Sequence, residues 1–323
     1  MSSDWFWTLP TRPARRASLP AGVTDLRPGR LTDFDHIAQV ARAAEAVGFS
    51  GVYVPYDPSG DDSWIVATGI AREVPRLRII TEFQPGFATA VYAAKMALSF
   101  QRFFDDRLAW KLDIDAPAAE QRAVGDFVVG HDRHTRVTEL MTVVDGVWTS
   151  SPFSFVGEHF EVEAGGFFEG VSAANGGYAI ARRERPPVFL DGTTDAELTL
   201  SARHADVHLF PFTADATELR NLIARHRQLS ADAGRSVRYG VQLSVLTREF
   251  DGEAWRDAQR LGDEQLPDVV GSYDDVVRTL SDLEELGIST FVIESQPHLQ
   301  AAYPFGEFVL SRLLADRVLE PQS

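Results

Sequence analysis

The sequence predicts an α/β fold, a (β/α)8 TIM barrel formed as one domain over residues 1–323, with a β-hairpin and loop inserted after the fourth βα unit at about 150–186. Three observations predict it. Short apolar runs and amphipathic stretches alternate from one end of the chain to the other. Most of the apolar runs are continuous rather than alternating, as strands buried on both faces of a parallel sheet must be. A doubly wound open sheet should carry a Gly-rich phosphate turn after its first strand, and the chain there reads Pro10-Thr11-Arg12-Pro13.

The elements follow in order. Trp5 to Leu9 is a short apolar strand, followed by a polar loop from about Pro10 to Arg30 with five arginines. Residues Leu31 to Val47 put Phe34, Ile37, Ala38, Val40, Ala41 and Ala44 on one helical face, and Gly48 stands where a helix stops. Gly51 to Pro55 is the second strand. Asp62 to Val74 is helical, Leu77 to Phe83 a strand, Ala90 to Phe104 an amphipathic helix, Leu108 to Ile114 a strand and Thr135 to Trp148 a helix. The insertion begins with Phe153-Ser154-Phe155 and Phe160-Glu161-Val162, two period-two runs about Gly157 that predict a hairpin. A Gly-rich loop continues to about Pro186. The repeat resumes with the strand Pro187 to Leu190, the helix Thr194 to His204, the strand Ala205 to Phe210, the helix Ala214 to Ala233 and the strand Val237 to Leu246. Glu253 to Leu261 and Tyr273 to Leu286 are helical, Thr290 to Ser295 is the eighth barrel strand, and Leu299 to Leu314 is the last helix.

Composition excludes several function classes. A formal charge of −16 repels a phosphate backbone, so nucleic acid is not an expected partner. No apolar run is long enough to span a membrane. Arg15-Arg16 is followed by Ala17-Ser18-Leu19-Pro20 with no apolar stretch, so it is not read as a twin-arginine export signal. The absence of cysteine removes disulfides and thiolate metal sites, and a cytoplasmic protein is expected. No metal is expected: His204 and His208 end a helix and start a strand, so they do not share a face; His131 and His134 share one if helical, but no HExxH pattern occurs, and a site on Glu82, Asp113, Asp115 and Glu294 is conceivable and without support. Charged residues do stand at predicted strand ends: Glu82, Lys111, Asp113, Asp115 and Glu294. A lysine among carboxylates at a barrel mouth is either an acid/base group with shifted pKa values or a structural ion pair.

Several segments, colinear over nearly the whole chain, resemble the bacterial-luciferase-like flavin monooxygenases, and within them the alkanesulfonate branch. Phe6-Trp7-Thr8-Leu9-Pro10-Thr11 is similar to the opening FWFLPT of that branch, and Asp62-Ser63-Trp64 to its segment after the second strand. Pro85 with Ala93-Ala94-Lys95-Met96 resembles its third βα unit. Asp191-Gly192-Thr193-Thr194-Asp195 resembles GGSSD and Arg238-Tyr239-Gly240-Val241 resembles RFGI. Gly287 to Phe291, followed by Pro297-His298-Leu299 and Tyr303, resembles the closing segment. The resemblance implies an oxidoreductase that takes reduced FMN from a separate reductase and reacts it with O2 to oxygenate an organic molecule. The flavin supplies the chemistry, and the barrel positions it and excludes water. Barrels of this family pair, so a homodimer is the expected assembly, with the Ala90 to Phe104 helix as a candidate interface.

Carried over residue by residue, the resemblance makes Gly192, Thr193 and Thr194 the cofactor-binding phosphate loop, since N–H groups at a helix N-terminus with two hydroxyls suit a phosphate. An ordinary helix cap explains the same residues. His298 is a candidate acid/base, with a packing or capping histidine as the alternative. Lys111, Asp113 and Ser244 complete the candidate catalytic set, and Trp5, Arg12, Tyr56, Gln242 and Gln296 the candidate substrate pocket. The departures from the family pattern are many. Lys111 and Ile114 stand for Asn and Thr beside the flavin, and Gln242 and Ser244 for Arg and His. Gln296 and Thr135 replace tyrosines, Gly60 a cysteine and Arg12 a histidine. A long mobile segment is also missing, because Leu261 reaches Tyr273 in about a dozen residues; the Arg12 to Arg30 loop is a candidate substitute lid, or simply a solvated loop. The expected function is therefore a reduced-FMN-dependent two-component monooxygenase acting on a small or medium organic substrate other than a simple alkanesulfonate. The alternatives are a non-catalytic or partner-subunit relative that has lost flavin binding, and a deazaflavin F420-dependent or flavin-independent enzyme on the same fold.

Overall fold

A computed structural model describes residues 3–12, 33–167, 183–261 and 266–318. The predicted lid loop beyond Arg12 and most of the Gly-rich loop before Pro186 lie outside them. Eight parallel strands close into a barrel: β1 (Asp4–Thr8), β2 (Gly51–Val54), β3 (Arg78–Phe83), β4 (Leu108–Leu112), β7 (Val188–Asp191), β8 (Val207–Pro211), β9 (Arg238–Arg248) and β11 (Thr290–Glu294). The ring closes where β11 pairs with both β1 and β9. The helices between them are α1 (Asp33–Ala46), α2 (Ser63–Glu73), α3 (Ala90–Phe103), α4 (Ala118–Ala123), α5 (His131–Thr149), α6 (Asp195–His204), α7 (Ala216–Asp232), α8 (Asp251–Leu261) and α9 (Tyr273–Glu285). After β11 the chain runs through α10 (His298–Pro304), a π-helical segment Phe305–Leu310, and α11 (Ser311–Val318).

Side-chain parity divides the barrel in two. Phe6, Tyr53, Ile80, Ala109, Phe189, Val207, Leu209 and Val292 point inward and fill the lumen. Their neighbours point outward into the larger core beneath the helices, where Trp5 stacks on Phe291 at 4.1 Å between ring centroids. The lumen floor is closed by Asp4, which bonds Arg78 at 2.5 Å and Arg238 at 3.0 Å. Burial alone would raise the Asp4 pKa, but the two guanidinium groups outweigh it and hold it low.

The insertion is the expected hairpin, β5 (Phe153–Val156) against β6 (Glu161–Gly165). Its turn is anchored by Glu139 of α5, whose carboxylate accepts the N–H groups of Glu158, His159 and Phe160 at 2.7, 2.8 and 3.0 Å. Three elements differ from the sequence-based expectation, among them the last helix, which the π-helical segment Phe305–Leu310 divides. The short helix α4 is new. The stretch between Leu261 and Tyr273 is not a bare connection: β10 (Val269–Ser272) pairs in parallel with the outer half of the eleven-residue strand β9. Its run Val269-Val270-Gly271-Ser272 carries only two apolar side chains before a glycine, so it does not stand out as a strand.

Candidate active site

The strand carboxyl ends carry the site, as in other barrels. Parallel register sets Glu82 of β3 directly beside Lys111 of β4, and pairs Lys111 with Phe189, two residues before Asp191. All three charged side chains share the inward parity of the lumen residues. Lys111 Nζ donates to Glu82 Oε1 at 2.5 Å and to Asp191 Oδ2 at 2.8 Å. The other Glu82 oxygen accepts the Tyr53 hydroxyl at 2.6 Å and the Tyr56 N–H at 2.8 Å. Lys111 is 5% exposed and Glu82 7%, so this is a buried network in which both Glu82 oxygens have donors and Lys111 has two carboxylate partners.

Burial opposes the Lys111 charge, but the charges of Asp191 and Glu82 outweigh it and hold its pKa well above the ordinary value. Tyr53 also lies well above its ordinary range, first through burial and then through the Glu82 charge, against the pull of Lys111. Asp113 follows directly on the end of β4. Gln84 Nε2 reaches its carboxylate at 3.4 Å. Burial, and then the Glu82 charge, raise the Asp113 pKa to about 6, close enough to neutrality for the group to exchange a proton.

A second carboxylate pair stands beside this layer. Gly192 has φ +123°, and a Cβ there would lie 2.3 Å from the Glu197 carboxylate. Glu197 Oε2 accepts the N–H groups of Thr193 at 2.7 Å and Thr194 at 2.8 Å. In return the Glu197 N–H is held by Thr194 Oγ1 at 3.4 Å, which completes a capping box. The Gly192 carbonyl is braced by His208 Nε2 at 3.1 Å, and His208 Nδ1 is bonded to Ser201. Asp115 is hydrogen-bonded to Glu197. Burial and the Glu197 charge raise the Asp115 pKa. For Glu197 burial works upward, but the two threonine N–H groups outweigh it and the net shift is downward. The N–H donors predicted to hold a phosphate are thus already occupied by a side-chain anion, and a phosphate does not fit the loop as the chain builds it.

The predicted residues divide accordingly. Lys111, Asp113 and Tyr56 come together, with Gln242 inward on β9 across the mouth and Gln296 hydrogen-bonded to Glu294 on β11. Trp5 does not line the mouth: its parity is outward, and it is 1% exposed in the core beneath the helices. Arg12 is solvent-exposed and paired with Asp57 at 2.8 Å. Ser244 is held away from chemistry, because its N–H and hydroxyl donate to Asp268 at 2.7 and 2.8 Å and its hydroxyl accepts from Asp268 N at 2.9 Å. His298 is kept neutral near pH 7, its pKa lowered to about 4 by burial and then by His36, which removes it as a general acid there. Thr193 and Thr194 form the helix cap. Tyr53, Asp191 and Glu197 are the residues that sequence reasoning missed. Among the described residues, no group of three or more His, Asp or Glu is arranged to hold a metal.

The model of the luciferase-like monooxygenase family matches residues 6–299. Solved structures share the fold at low identity. The EDTA monooxygenase of Chelativorans sp. BNC1 superposes with a TM-score of 0.77 at 16% identity, over 100% of this chain and 96% of that one. The oxygenating constituent of 3,6-diketocamphane monooxygenase from the CAM plasmid of Pseudomonas putida, solved with FMN, gives 0.71 at 14% over 99% and 100%. The coenzyme F420-dependent tetrahydromethanopterin reductase of Methanopyrus kandleri gives 0.73 at 12% over 96% and 99%.

Proposed function

Because the chain belongs to the luciferase-like monooxygenase family, and so to the flavin-dependent oxidoreductases, we propose that it is a two-component monooxygenase. It takes reduced flavin from a separate reductase and acts on a small or medium organic substrate at the carboxyl mouth of the barrel. The flavin would supply the oxygen chemistry; the protein supplies shape, charge and a proton. One observation carries the substrate class: among the described residues, the Lys111 cation of the mouth layer is already matched by Glu82 and Asp191, with Asp113 beside them. A sulfonate entering there meets more carboxylates than cations. The substrate is therefore neutral or cationic, not a simple alkanesulfonate.

In this reading Lys111 fixes the two carboxylates and presents an unchanging field, while Asp113 holds the exchangeable proton. Tyr53 and the Tyr56 N–H keep Glu82 oriented. Pairing of barrels through α3, whose Tyr92 and Phe103 are exposed, is the accompanying expectation for assembly. The alternative, a relative that has lost flavin, has one observation in its favour: Glu197 fills the loop at Thr193 and Thr194. The test is a coupled assay with a flavin reductase, NADH and O2, run against matched neutral, cationic and sulfonated substrates. Oxygenated product from a neutral or cationic compound supports the proposal. Turnover confined to sulfonates, or none with any class, rejects it.

A further inference from the structure

The nest at the N-terminus of α6 holds a charge of its own. Glu197 sits three residues after Thr194 and folds back so that one oxygen takes both loop N–H groups. The arrangement is braced on both sides. Gly192, at a φ that side-chain-bearing residues avoid, clears the space the carboxylate fills, and buried His208 fixes the Gly192 carbonyl from behind. Other acids crowd the loop: Asp115 is bonded to Glu197, Asp191 is bonded to Lys111, and Asp195 is paired with Arg225. Among the described residues, the cations that bear on this cluster are Arg225 and Lys111, each paired with a carboxylate, Arg133, which donates to the Val128 and Ala116 carbonyls, and His134, 3.8 Å from Asp115. A phosphate arriving here would have to displace Glu197 from both loop N–H groups and then face those acids.

We propose that Glu197 is a built-in anion that closes this loop to phosphate, so that the flavin the barrel takes has an uncharged tail, riboflavin rather than FMN. The inference rests on the proposed function, that a flavin binds at the mouth. A carboxylate in the nest still accepts hydrogen bonds from the hydroxyls of a ribityl chain, whereas it repels a phosphate dianion.

The experiment titrates the full-length protein anaerobically with reduced riboflavin and, separately, reduced FMN, following flavin fluorescence, for the wild type, Glu197→Ala and Glu197→Gln. Glu197→Ala empties the nest; Glu197→Gln keeps an acceptor on the two N–H groups but removes the charge, and carries the test if the alanine variant does not fold. The expected result is wild-type binding of riboflavin at least as tight as FMN, with FMN affinity rising about ten-fold or more in Glu197→Ala and riboflavin affinity changing by less than about three-fold. Wild type that prefers FMN by about ten-fold, or folded variants that gain no FMN affinity, overturns the inference and leaves the proposed function standing. Failure of all three proteins to bind either flavin overturns both.

Discussion

Replacing Lys111 by methionine should cost more stability than any exposed ion pair in this barrel. The side chain is 6% exposed, as is expected of a cation held by two carboxylates, and its loss leaves Glu82 buried with only Tyr53 and the Tyr56 N–H for partners. Breaking one side of a buried pair costs about 3–5 kcal/mol, because the remaining charge loses its compensation. Unfolding entropy near the midpoint is about 2.1 cal/mol/K per residue, so a chain of this length should lose about 4–7 °C in Tm. Scanning calorimetry at pH 7 measures it. Arg278→Met, which cuts an exposed pair to Asp275, is the control and should move Tm by no more than about 1 °C. The double variant Lys111→Met/Glu82→Gln should recover part of the loss, since the uncompensated charge is then gone. A Lys111→Met Tm equal to wild type, or a double variant at the sum of the two single losses, would refute the claim that the network is buried and coupled.

Asp113 gives a pH signature. Its folded pKa of about 6 lies above the ordinary 3.8, so the folded state binds the proton more tightly and the stability this confers is present below about pH 4 and lost as pH rises through 6. Asp113→Asn should therefore be more stable than wild type at pH 8, by on the order of 2 kcal/mol, with the gap closing as pH falls through 6 to 4; urea unfolding at three pH values checks it. The same variant should lose the pH-6 limb from the rate profile of a turned-over substrate. Ser244→Ala should cost about 1 kcal/mol by freeing Asp268, and should change turnover little, which melting curves and rates separate. Gly192→Ala combines a positive φ with a blocked Glu197 carboxylate, and should lose about 1–3 kcal/mol and the capping box together, read by thermal melts.

The barrel was legible because burial on both faces of a parallel strand leaves an apolar run that needs no neighbour to be recognised, as in Leu108 to Leu112. What it left obscure was parity. Trp5 and Tyr53 are both aromatic residues of barrel strands, yet one faces the helices and the other Glu82, and a step of one residue decides which. Lys111 and Glu82 stood out as charges inside apolar strands; their third partner, Asp191, was hidden in a segment read for its glycine and threonines. Glu197 had a signal: Thr194 followed three residues later by Glu is the spacing of a capping box, and it marked the helix start that the structure contains. What the spacing does not convey is that the same carboxylate would spend both loop N–H groups. The long-range contact between Ser244 and Asp268 depends on where β10 docks, and no local pattern reports that.

The most direct measurement is anaerobic titration of the purified protein with reduced flavin, followed by mixing with O2. Saturable binding on the order of micromolar, with O2 consumed in step with oxygenation of a neutral or cationic substrate, is the result expected of a flavin monooxygenase built on this mouth. No binding of reduced FMN, reduced riboflavin or F420 at any accessible concentration would contradict it and leave a barrel whose buried charges serve structure alone.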